Sequence, residues 1–259
     1  MSLLTIDINA DMGESCERLA DGSDAELMRY VTSANIACGG HAGDSSTMEQ
    51  TLEIAKQNQV AAGAHPSYPD RPGFGRHVVN LALDELQASI TDQLTVLQGI
   101  AARLNSKITH VKPHGALYHS CNEDLEIARA VARAVLAVDA KLVLVGQAGF
   151  PCLGIYRQLG LRVAAEAFAD RKYEADGRLR NRSLAGALLD SPADAALQAI
   201  EIAARKRVIT TSGARLAIEA DTLCIHGDTD GAAAIAAAVR RRLEESGIVV
   251  ARLERTRVG

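Results

Sequence analysis

Polar side chains capable of acid–base chemistry occupy every second position of an apolar segment near the N-terminus. In "LTIDINADMGES", residues 4–15, Asp7, Asn9 and Asp11 alternate with apolar residues, and Glu14 follows a glycine. Side chains at i, i+2 and i+4 of a β-strand point to one face, so a strand here turns all three towards the same side. Asp11, at the end of the segment, is the first candidate for catalysis, and Glu14 is a candidate for binding. Asp7 and Asn9 either support Asp11 or are buried polar groups that form hydrogen bonds with neighbouring groups.

Reactive side chains recur after five further apolar segments, which end in "ACGGHAGD", "GAHPSYPDRPGFGR", "VKPHGALYH", "EAFADRKY" and "CIHGDTDG". The candidate site residues that they contribute are Gly39, Gly40, His41, Asp44, His65, Arg71, Arg76, Lys112, His114, Glu166, Asp170, Arg171, His226, Asp228 and Asp230. Gly39 and Gly40 lie in a glycine-rich turn before a helix. Such glycines either allow a tight turn or let the turn bind an anion through its backbone N–H groups. His41 in that turn is a candidate acid or base.

Lys112 lies within an apolar segment, with His110 and His114 on its own face if the segment is a strand. Lysine is almost never fully buried unless it is paired. We therefore expect Lys112 to hold a phosphoryl oxygen or a developing oxyanion in a site, or else to form a structural ion pair. The carboxylates available for such a pair are Asp7, Asp11 and Glu166.

Two further kinds of chemistry stay open. Metal-ligand types are present at Asp11, His41, His65, His114 and His226. No tight spacing such as H-E-x-x-H fixes them, so the sequence assigns no metal ligands. Cys38 and Cys224 are candidate nucleophiles, but both lie within apolar segments, where a cysteine is usually a small buried hydrophobe.

The elements that must position these residues alternate between strand and helix patterns. Strand-like segments occupy residues 3–11, 33–38, 60–66, 108–114, 141–147, 161–170 and 221–228, with a last one at 248–253. Helical patterns follow them at 23–31, 45–58, 83–104, 122–138, 151–160, 192–205 and 230–247. Ser23 and Glu26 have the spacing of a capping box, which predicts that a helix begins there.

Strand followed by helix, about seven times, predicts parallel strands with crossover helices. The α/β fold is then either a closed (β/α) barrel or an open doubly wound sheet. We expect one domain over residues 1–259, because no linker or shift in composition divides the chain. Ligands of parallel α/β folds bind at the carboxyl ends of the strands, so the candidate residues should meet at one rim.

The composition narrows the classes of partner. Lys+Arg is 28 and Asp+Glu is 32, for a net charge of −4, which gives no support to nucleic acid as a partner. No apolar run reaches the roughly 18 residues of a membrane span, and no basic-then-apolar start suggests a signal peptide. Five cysteines without a C-x-x-C pair favour a reducing compartment, so we expect a cytoplasmic protein. Neither G-x-G-x-x-G nor G-x-x-x-x-G-K-[ST] occurs.

The motifs "DINADMGES", "SANIACGGHAGD", "GAHPSYPDRPGFGR", "VKPHGALYH" and "CIHGDTDGA" together resemble the LamB/YcsF family, which includes one of the three components of bacterial ATP-dependent 5-oxoprolinase. The resemblance runs from residue 5 to about residue 250. It implies an irregular (β/α) barrel of about seven parallel strands, similar to that of carbohydrate deacetylases. It also implies hydrolysis of 5-oxo-L-proline to L-glutamate at the expense of ATP, with Mg²⁺ accompanying the nucleotide, in a complex with the B and C subunits of 5-oxoprolinase.

This resemblance leads to a hypothesis about roles. Asp11, alone or with His41 or His65, activates water, and Lys112 with the Gly39–Gly40 turn holds negative charge. His114 or His226 protonates the ring nitrogen, and Arg71 or Arg76 pairs with the substrate carboxylate. Two other functions stay open: a metal-dependent amidase or deacetylase acting alone, and a subunit that only carries the substrate. The sequence does not decide whether ATP binds this chain or its partners.

Overall fold

A closed barrel of parallel strands is the central feature of the computed structural model, which describes residues 3–229 and 231–253. The strands are β1 (Thr5–Met12), β2 (Ser33–Ala37), β3 (Ala61–His65), β4 (Ile108–Val111), β5 (Val143–Gln147), β6 (Arg162–Phe168), β7 (Arg207–Ile209), β8 (Arg215–Ala217), β9 (Thr222–Cys224) and β10 (Val249–Val250). The ring runs β1-β2-β3-β4-β5-β6-β9, and β9 pairs with β1 to close it. The predicted barrel of seven parallel strands is confirmed, and an open sheet is excluded.

Helices follow most of these strands and pack against the outside of the barrel. They are α1 (Cys16–Ala20), α2 (Ser23–Met28), α3 (Ser45–Gln57), α4 (Leu83–Arg103), α5 (Gly115–Glu123), α6 (Leu125–Val138), α7 (Cys152–Gln158), α8 (Pro192–Ala203) and α9 (Ala232–Glu245). Local sequence explains where several begin. Asp44 caps α3 in a capping box with Thr47, and Ser191 caps α8, which opens on Pro192.

The interior of the barrel contains both apolar and polar side chains. Val143 and Val145 of β5 and Ala164 of β6 form a small buried cluster with Leu253, separate from the main core between strands and helices. Ser33 and Thr222, which begin β2 and β9, are buried and bond to Asp7 of β1. The reactive groups that end the strands lie at their carboxyl ends, where ligands of such folds bind.

Four local features differ from the sequence prediction. The helix predicted at 122–138 begins later, at Leu125, because the Asp124 carboxylate caps α6 by accepting from the Glu126 N–H, and residues 122–123 end the separate helix α5. The helix α1 and the antiparallel pair β7–β8 were not predicted. The capping box at Ser23 is wrong: Ser23 is the first helical residue, and Gly22 at φ 83° precedes it without a side-chain cap.

The last strand lies outside the ring. β10 pairs with Thr5 and Ile6, the first residues of β1, while the rest of β1 pairs with β2 and β9. In the described part of the chain, no helix combines the length and the apolar character that a bilayer span requires. Asp230, which the sequence suggested as a site residue, lies outside the described residues.

Candidate active site at the carboxyl ends of the strands

A cavity of about 590 Å³ opens at the carboxyl ends of the strands. The sequence-predicted residues that line it are Asp11, Glu14, His65, Arg76, Lys112, His114, Arg171, His226 and Asp228. They come from β1 and β3 and from the loops that follow β1, β3, β4, β6 and β9. Residues far apart in the sequence are therefore brought to one rim, as the strand–helix alternation predicted.

The other predicted residues lie behind this cavity or beside it. Asp7, Asn9, Glu166 and Asp170 are fully buried and bond to groups of the wall. A second, smaller cavity of about 240 Å³ is lined by Glu14, His41, Asp44 and Arg71. Gly39 and Gly40 line neither of these two cavities. A Cβ at Gly40 would collide with Gln93 and Ser67, so that glycine serves close packing.

Lys112 is the centre of a buried charge network. Its Nζ lies 2.9 Å from Asp11 Oδ1 and 3.0 Å from Glu166 Oε1. It also donates towards Asn9 Oδ1 at 3.3 Å and Cys224 Sγ at 3.1 Å. Burial opposes its charge, but Asp11, Cys224 and Glu166 together outweigh burial and hold the pKa of Lys112 well above its ordinary value. All three ammonium protons are thus used inside the protein, and two of the three expected carboxylate partners are present.

The third expected partner, Asp7, belongs to a separate hydrogen-bond group. Its Oδ1 accepts from Thr32 Oγ1 and Ser33 Oγ, both at 2.7 Å, and its Oδ2 accepts from Thr222 Oγ1 at 2.5 Å. Burial raises the pKa of Asp7 to about 6 in spite of these bonds. Asn9 links the two groups, because its Nδ2 donates to Glu166 Oε1 at 3.0 Å and to Thr222 Oγ1 at 2.7 Å.

His65 and His114 face each other at the rim through their inner nitrogens. His65 Nδ1 donates to the Lys112 carbonyl at 2.7 Å, and His114 Nε2 donates to the Phe74 carbonyl at 2.9 Å. His65 Nε2 and His114 Nδ1 then lie 3.0 Å apart. Burial lowers the pKa of His114 to about 3. Burial also opposes charge on His65, but Asp11, whose Oδ2 is 3.4 Å from His65 Nε2, raises the pKa of His65.

Asp11 is held as an anion by its surroundings. Burial favours its neutral form, but His65 and Lys112 outweigh burial and keep the pKa of Asp11 well below its ordinary value. Its Oδ1 is occupied by Lys112 and by Asn35 Nδ2, at 2.9 and 2.8 Å. The Oδ2 atom, on the His65 side, is the part of the carboxylate with room for a further hydrogen bond. It is therefore the acceptor that this wall presents to a bound molecule.

His41 and Glu14 complete this end of the rim. The His41 ring is stacked on the His114 ring, with centroids 3.7 Å apart and planes 4° from parallel. His41 Nε2 donates to Glu14 Oε1 at 3.1 Å, and the same oxygen is 3.4 Å from His114 Nδ1. Burial lowers the pKa of His41 to about 2, so the ring is neutral. Burial, with Asp11 next, raises the pKa of Glu14.

The loop after β3 folds over these histidines. Phe74 has φ 54°, a left-handed conformation that is uncommon for a bulky residue. It is held by bonds from the Phe74 N–H to Arg71 O and from the Gly75 N–H to Asp70 O, at 3.1 and 2.8 Å. A Cβ at Gly75 would press on the His41 and His114 side chains, so only glycine fits. The strained residue is therefore also the one whose carbonyl accepts the hydrogen bond that fixes His114.

Several arginines also line the cavity and form an arginine wall. Arg76 and Arg182 both donate to Asp228 Oδ2, at 3.0 and 2.8 Å. Arg178 also lines the cavity, as does Arg171, which is 5% exposed. Arg171 donates to a backbone carbonyl through one terminal nitrogen, and its Nε has no hydrogen-bond partner among the described residues. The lining of the cavity thus combines acidic groups and histidines with cationic groups.

Sequence reasoning missed part of this cationic wall. Arg178, Arg182 and Asn181 come from the long connection after β6, and Asn122 and Gln147 add amide groups. The signal was the basic segment "DGRLRNRS", which carries three arginines within six residues. It has neither helix nor strand periodicity, so nothing in the pattern placed it over the barrel mouth.

His226 lines the same cavity. Its Nδ1 lies 3.0 Å from Asp170 Oδ2, and its backbone N–H donates to the same oxygen at 2.8 Å. The ionised Asp170 only accepts, so His226 Nδ1 carries the proton and Nε2 is left for another group. The ring is stacked on Phe168 at 5.5 Å. His226 is thus oriented by a buried carboxylate, in the way that histidines used in acid–base catalysis often are.

The two cysteines considered as nucleophiles are poor ones. Cys38 is buried and accepts from the His65 N–H, and burial raises the pKa of its thiol to about 12. Burial also raises the pKa of Cys224 well above its ordinary value, although Lys112 is adjacent. The thiolate is the nucleophilic form, so both environments disfavour that chemistry.

Comparison with known proteins gives full-length matches. Residues 6–258 match the LamB/YcsF family. The 5-oxoprolinase A component of Chloroflexus aggregans is 48% identical over 248 residues, which cover 96% of this chain and 98% of that protein. A crystal structure of a lactam utilization protein from Thermus thermophilus superposes with a TM-score of 0.89 at 40% identity, covering 95% of this chain and 99% of that one.

A more distant structure shares the fold alone. The T48 deacetylase, solved with substrate, superposes over 97% of this chain and 89% of that one, with a TM-score of 0.51 at 12% identity. The expected similarity to a deacetylase-like barrel is therefore confirmed at the level of the fold.

Proposed function

The chain belongs to the LamB/YcsF family, and from that premise we propose that it opens the lactam ring of 5-oxo-L-proline as the A component of an ATP-dependent 5-oxoprolinase. The names of its full-length relatives support this function. The observation that carries the proposal is the cavity, whose lining combines acid and base groups with arginines. A small cyclic amide that bears a carboxylate needs both kinds of group.

The chemistry explains why ATP is consumed. A five-membered lactam is an unreactive amide, and ring closure is favoured because the amine and the carbonyl are held together. Transfer of a phosphoryl group from ATP to the carbonyl oxygen makes the ring carbon electrophilic. Addition of water at that carbon and cleavage of the C–N bond, with a proton delivered to nitrogen, give the acyl phosphate of glutamate. A second water hydrolyses this acyl phosphate, so the products are glutamate, ADP and phosphate.

Asp11 is the residue to which we assign the proton of the attacking water. It is ionised, its Oδ2 faces the cavity side, and its Oδ1 is fixed by Lys112 at 2.9 Å. Lys112 has no spare proton, because Asp11, Glu166 and the Asn9–Cys224 pair take all three. We therefore assign Lys112 as a positioning residue, which holds the Asp11 carboxylate in place and in its charged form.

His226 is better placed than His114 to protonate the ring nitrogen. Both nitrogens of His114 are engaged, with the Phe74 carbonyl and with His65. His226 has one nitrogen on Asp170 and the other available, and it lines the cavity. For the substrate carboxylate we assign Arg171, whose unpaired Nε is a donor in a fork that fits a carboxylate. Arg71 lines the smaller cavity and bonds to backbone carbonyls instead.

ATP and the partner subunits complete the proposal. A cavity of about 590 Å³ is of the size that binds drug-sized ligands, so 5-oxoproline and a transferred phosphoryl group fit together. The chain contains no common nucleotide-binding fingerprint. We therefore assign the binding of the Mg²⁺-bound nucleotide chiefly to the B and C subunits, with the arginine wall of this chain receiving the phosphoryl group.

The test is reconstitution from purified components. The chain is mixed with its B and C subunits, and glutamate formed from 5-oxo-L-proline is measured with and without ATP. We expect glutamate only when all three proteins and ATP are present. Turnover by B and C without this chain would reduce it to a carrier. ATP-independent hydrolysis of an N-acyl sugar or simple amide by the chain alone would instead make it a deacetylase-like hydrolase.

A further inference from the structure

Three ligand-type atoms at the rim form a triangle of the size that surrounds one metal ion. Glu14 Oε1 lies 3.9 Å from His65 Nε2 and 3.4 Å from His114 Nδ1, and the two nitrogens are 3.0 Å apart. The point in their plane that is equally distant from all three lies about 2.0 Å from each, which matches the roughly 2.0–2.2 Å bonds of Zn²⁺ to imidazole and carboxylate. An ion at this point needs no rearrangement of the three side chains.

Hydrogen bonds on the far side of both rings turn their lone pairs towards this point. A carbonyl oxygen only accepts, so His65 Nδ1 and His114 Nε2 must carry protons to bond to Lys112 O and Phe74 O. His65 Nε2 and His114 Nδ1, 3.0 Å from each other, are then the ring nitrogens left to coordinate an ion. Histidine binds metals through an unprotonated nitrogen, so an ion here takes the place of any proton between the two. Backbone carbonyls that fix the outer nitrogen are the usual surroundings of histidines that bind metal.

The neighbours of the triangle supply negative charge and an open side. Asp11 borders it beside the carboxylate of Glu14, with Asp11 Oδ2 3.4 Å from His65 Nε2. All three ligands line the large cavity, so an ion would have a free coordination position facing the substrate space. Asp11 would accept a hydrogen bond from whatever occupies that position.

His41 belongs to the same cluster but not to the ligand set. An ion in the plane of the His114 ring, where the Nδ1 lone pair points, cannot lie in the plane of a parallel ring stacked 3.7 Å away. His41 instead donates from Nε2 to Glu14 Oε1 at 3.1 Å. It therefore orients the carboxylate ligand, as outer partners of metal ligands do.

We propose that Glu14, His65 and His114 form a binding site for one divalent transition-metal ion of the Zn²⁺ class. Two imidazoles and one carboxylate with an open position are the donor set of catalytic rather than structural zinc sites. Nitrogen donors also disfavour Mg²⁺ and Ca²⁺, which take oxygen ligands. This site goes beyond the proposed function, because binding by the isolated chain depends on neither ATP nor the partner subunits.

The test uses the full chain without a polyhistidine tag, stripped of metal by a chelator. Zn²⁺ binding is measured by competition with a chromophoric chelator, and Co²⁺ is added as a spectroscopic probe of ligand geometry. We expect one Zn²⁺ per chain, and at least 100-fold weaker binding in Glu14→Gln, His65→Gln and His114→Gln. Exposed His119, on the same cavity wall, provides the matched control: His119→Gln should bind like the unsubstituted chain.

Folding is checked separately from binding. Far-ultraviolet circular dichroism and thermal unfolding of the metal-free variants show whether each is folded before its affinity is compared. Zn²⁺ should raise the unfolding temperature of the unsubstituted chain and of His119→Gln, but not that of the ligand variants, because binding to the native state stabilises it. Absence of stoichiometric binding by the unsubstituted chain would overturn the site. So would binding that survives in folded ligand variants.

Discussion

Replacing Lys112 by methionine removes the ammonium group that lies between two buried carboxylates while keeping a side chain of similar length. The ammonium is 2.9 Å from Asp11 and 3.0 Å from Glu166. The three side chains are 4%, 12% and 0% exposed, respectively.

The expected cost is large because removing one partner of a buried pair leaves an uncompensated charge. Such changes cost about 3–5 kcal/mol, and two carboxylates are left here rather than one. We therefore expect Lys112→Met to lower the free energy of unfolding at pH 7 by about that amount. Urea unfolding followed by circular dichroism measures it.

An exposed ion pair between a lysine and a glutamate, with the same N–O distance, provides the control. Lys206 Nζ is 2.9 Å from Glu219, but the side chains are 60% and 77% exposed. Exposed pairs contribute about 0–1 kcal/mol, so Lys206→Met should lie in that range. If Lys112→Met costs no more than Lys206→Met, the inference that a buried charge network holds Asp11 is refuted.

A double substitution separates charge from packing. Glu166→Gln removes one of the two carboxylates that Lys112→Met leaves unpaired. The combination should therefore be less destabilised than the sum of the two single substitutions, with a coupling of about 0.5–3 kcal/mol. Simple additivity would mean that the loss in Lys112→Met comes from packing alone.

Three further predictions concern other parts of the structure. Asp7 has a folded-state pKa of about 6 against an ordinary 3.8, so its contribution to stability is full below about pH 3.8 and is lost as pH rises through about 6. As the pH rises from 4 to 7, the free energy of unfolding of Asp7→Asn, measured with urea, should increase relative to that of the unsubstituted chain by up to about 3 kcal/mol. A difference between the two chains that does not change with pH would contradict this. Gly63→Ala places a Cβ on the His110 ring and should cost about 1–3 kcal/mol or more. Gly99→Ala, in an open position of α4, should be neutral or stabilising by up to about 1 kcal/mol, and equal thermal shifts for the two would contradict the packing argument. Arg171→Lys should raise the KM for 5-oxoproline at least about tenfold with little change in kcat, and a loss confined to kcat would exclude a role in ground-state binding.

The barrel could be predicted because its signal is repeated. Each strand–helix unit carries the same alternation, so one ambiguous segment does not change the conclusion. The segments that escaped prediction carry no such repetition. The helices α1 and α5 are five and nine residues long, and β7 and β8 are three residues each, too short for a clear period. Tertiary packing decides their conformation, not local pattern.

Part of the site could be predicted for a different reason. Asp11, His65, Lys112 and His114 end strands or follow them directly, so the topology alone brings them together. The role of each of these residues could not be predicted. It depends on which carbonyl each histidine bonds to and on which carboxylate reaches Lys112. These are contacts between residues some 50 to 100 positions apart in the chain.

The arginine wall shows the limit most clearly. The connection after β6 has the composition of a solvated loop, and its arginines could have faced away from the barrel. Arg180 does point elsewhere, to Glu174 and a backbone carbonyl, while Arg182 reaches Asp228 across the cavity. Only the three-dimensional path of the loop distinguishes the orientation of Arg182 from that of Arg180.

The most direct measurement is glutamate formation by the reconstituted three-protein complex with Asp11→Asn in place of the unsubstituted chain. Asparagine keeps the size of the side chain but cannot accept a proton from water. We expect ATP-dependent turnover with the unsubstituted chain and at least a 100-fold loss with Asp11→Asn, while circular dichroism and co-purification with the partners stay unchanged. Turnover at the unsubstituted level in a folded, assembled Asp11→Asn complex would contradict the account.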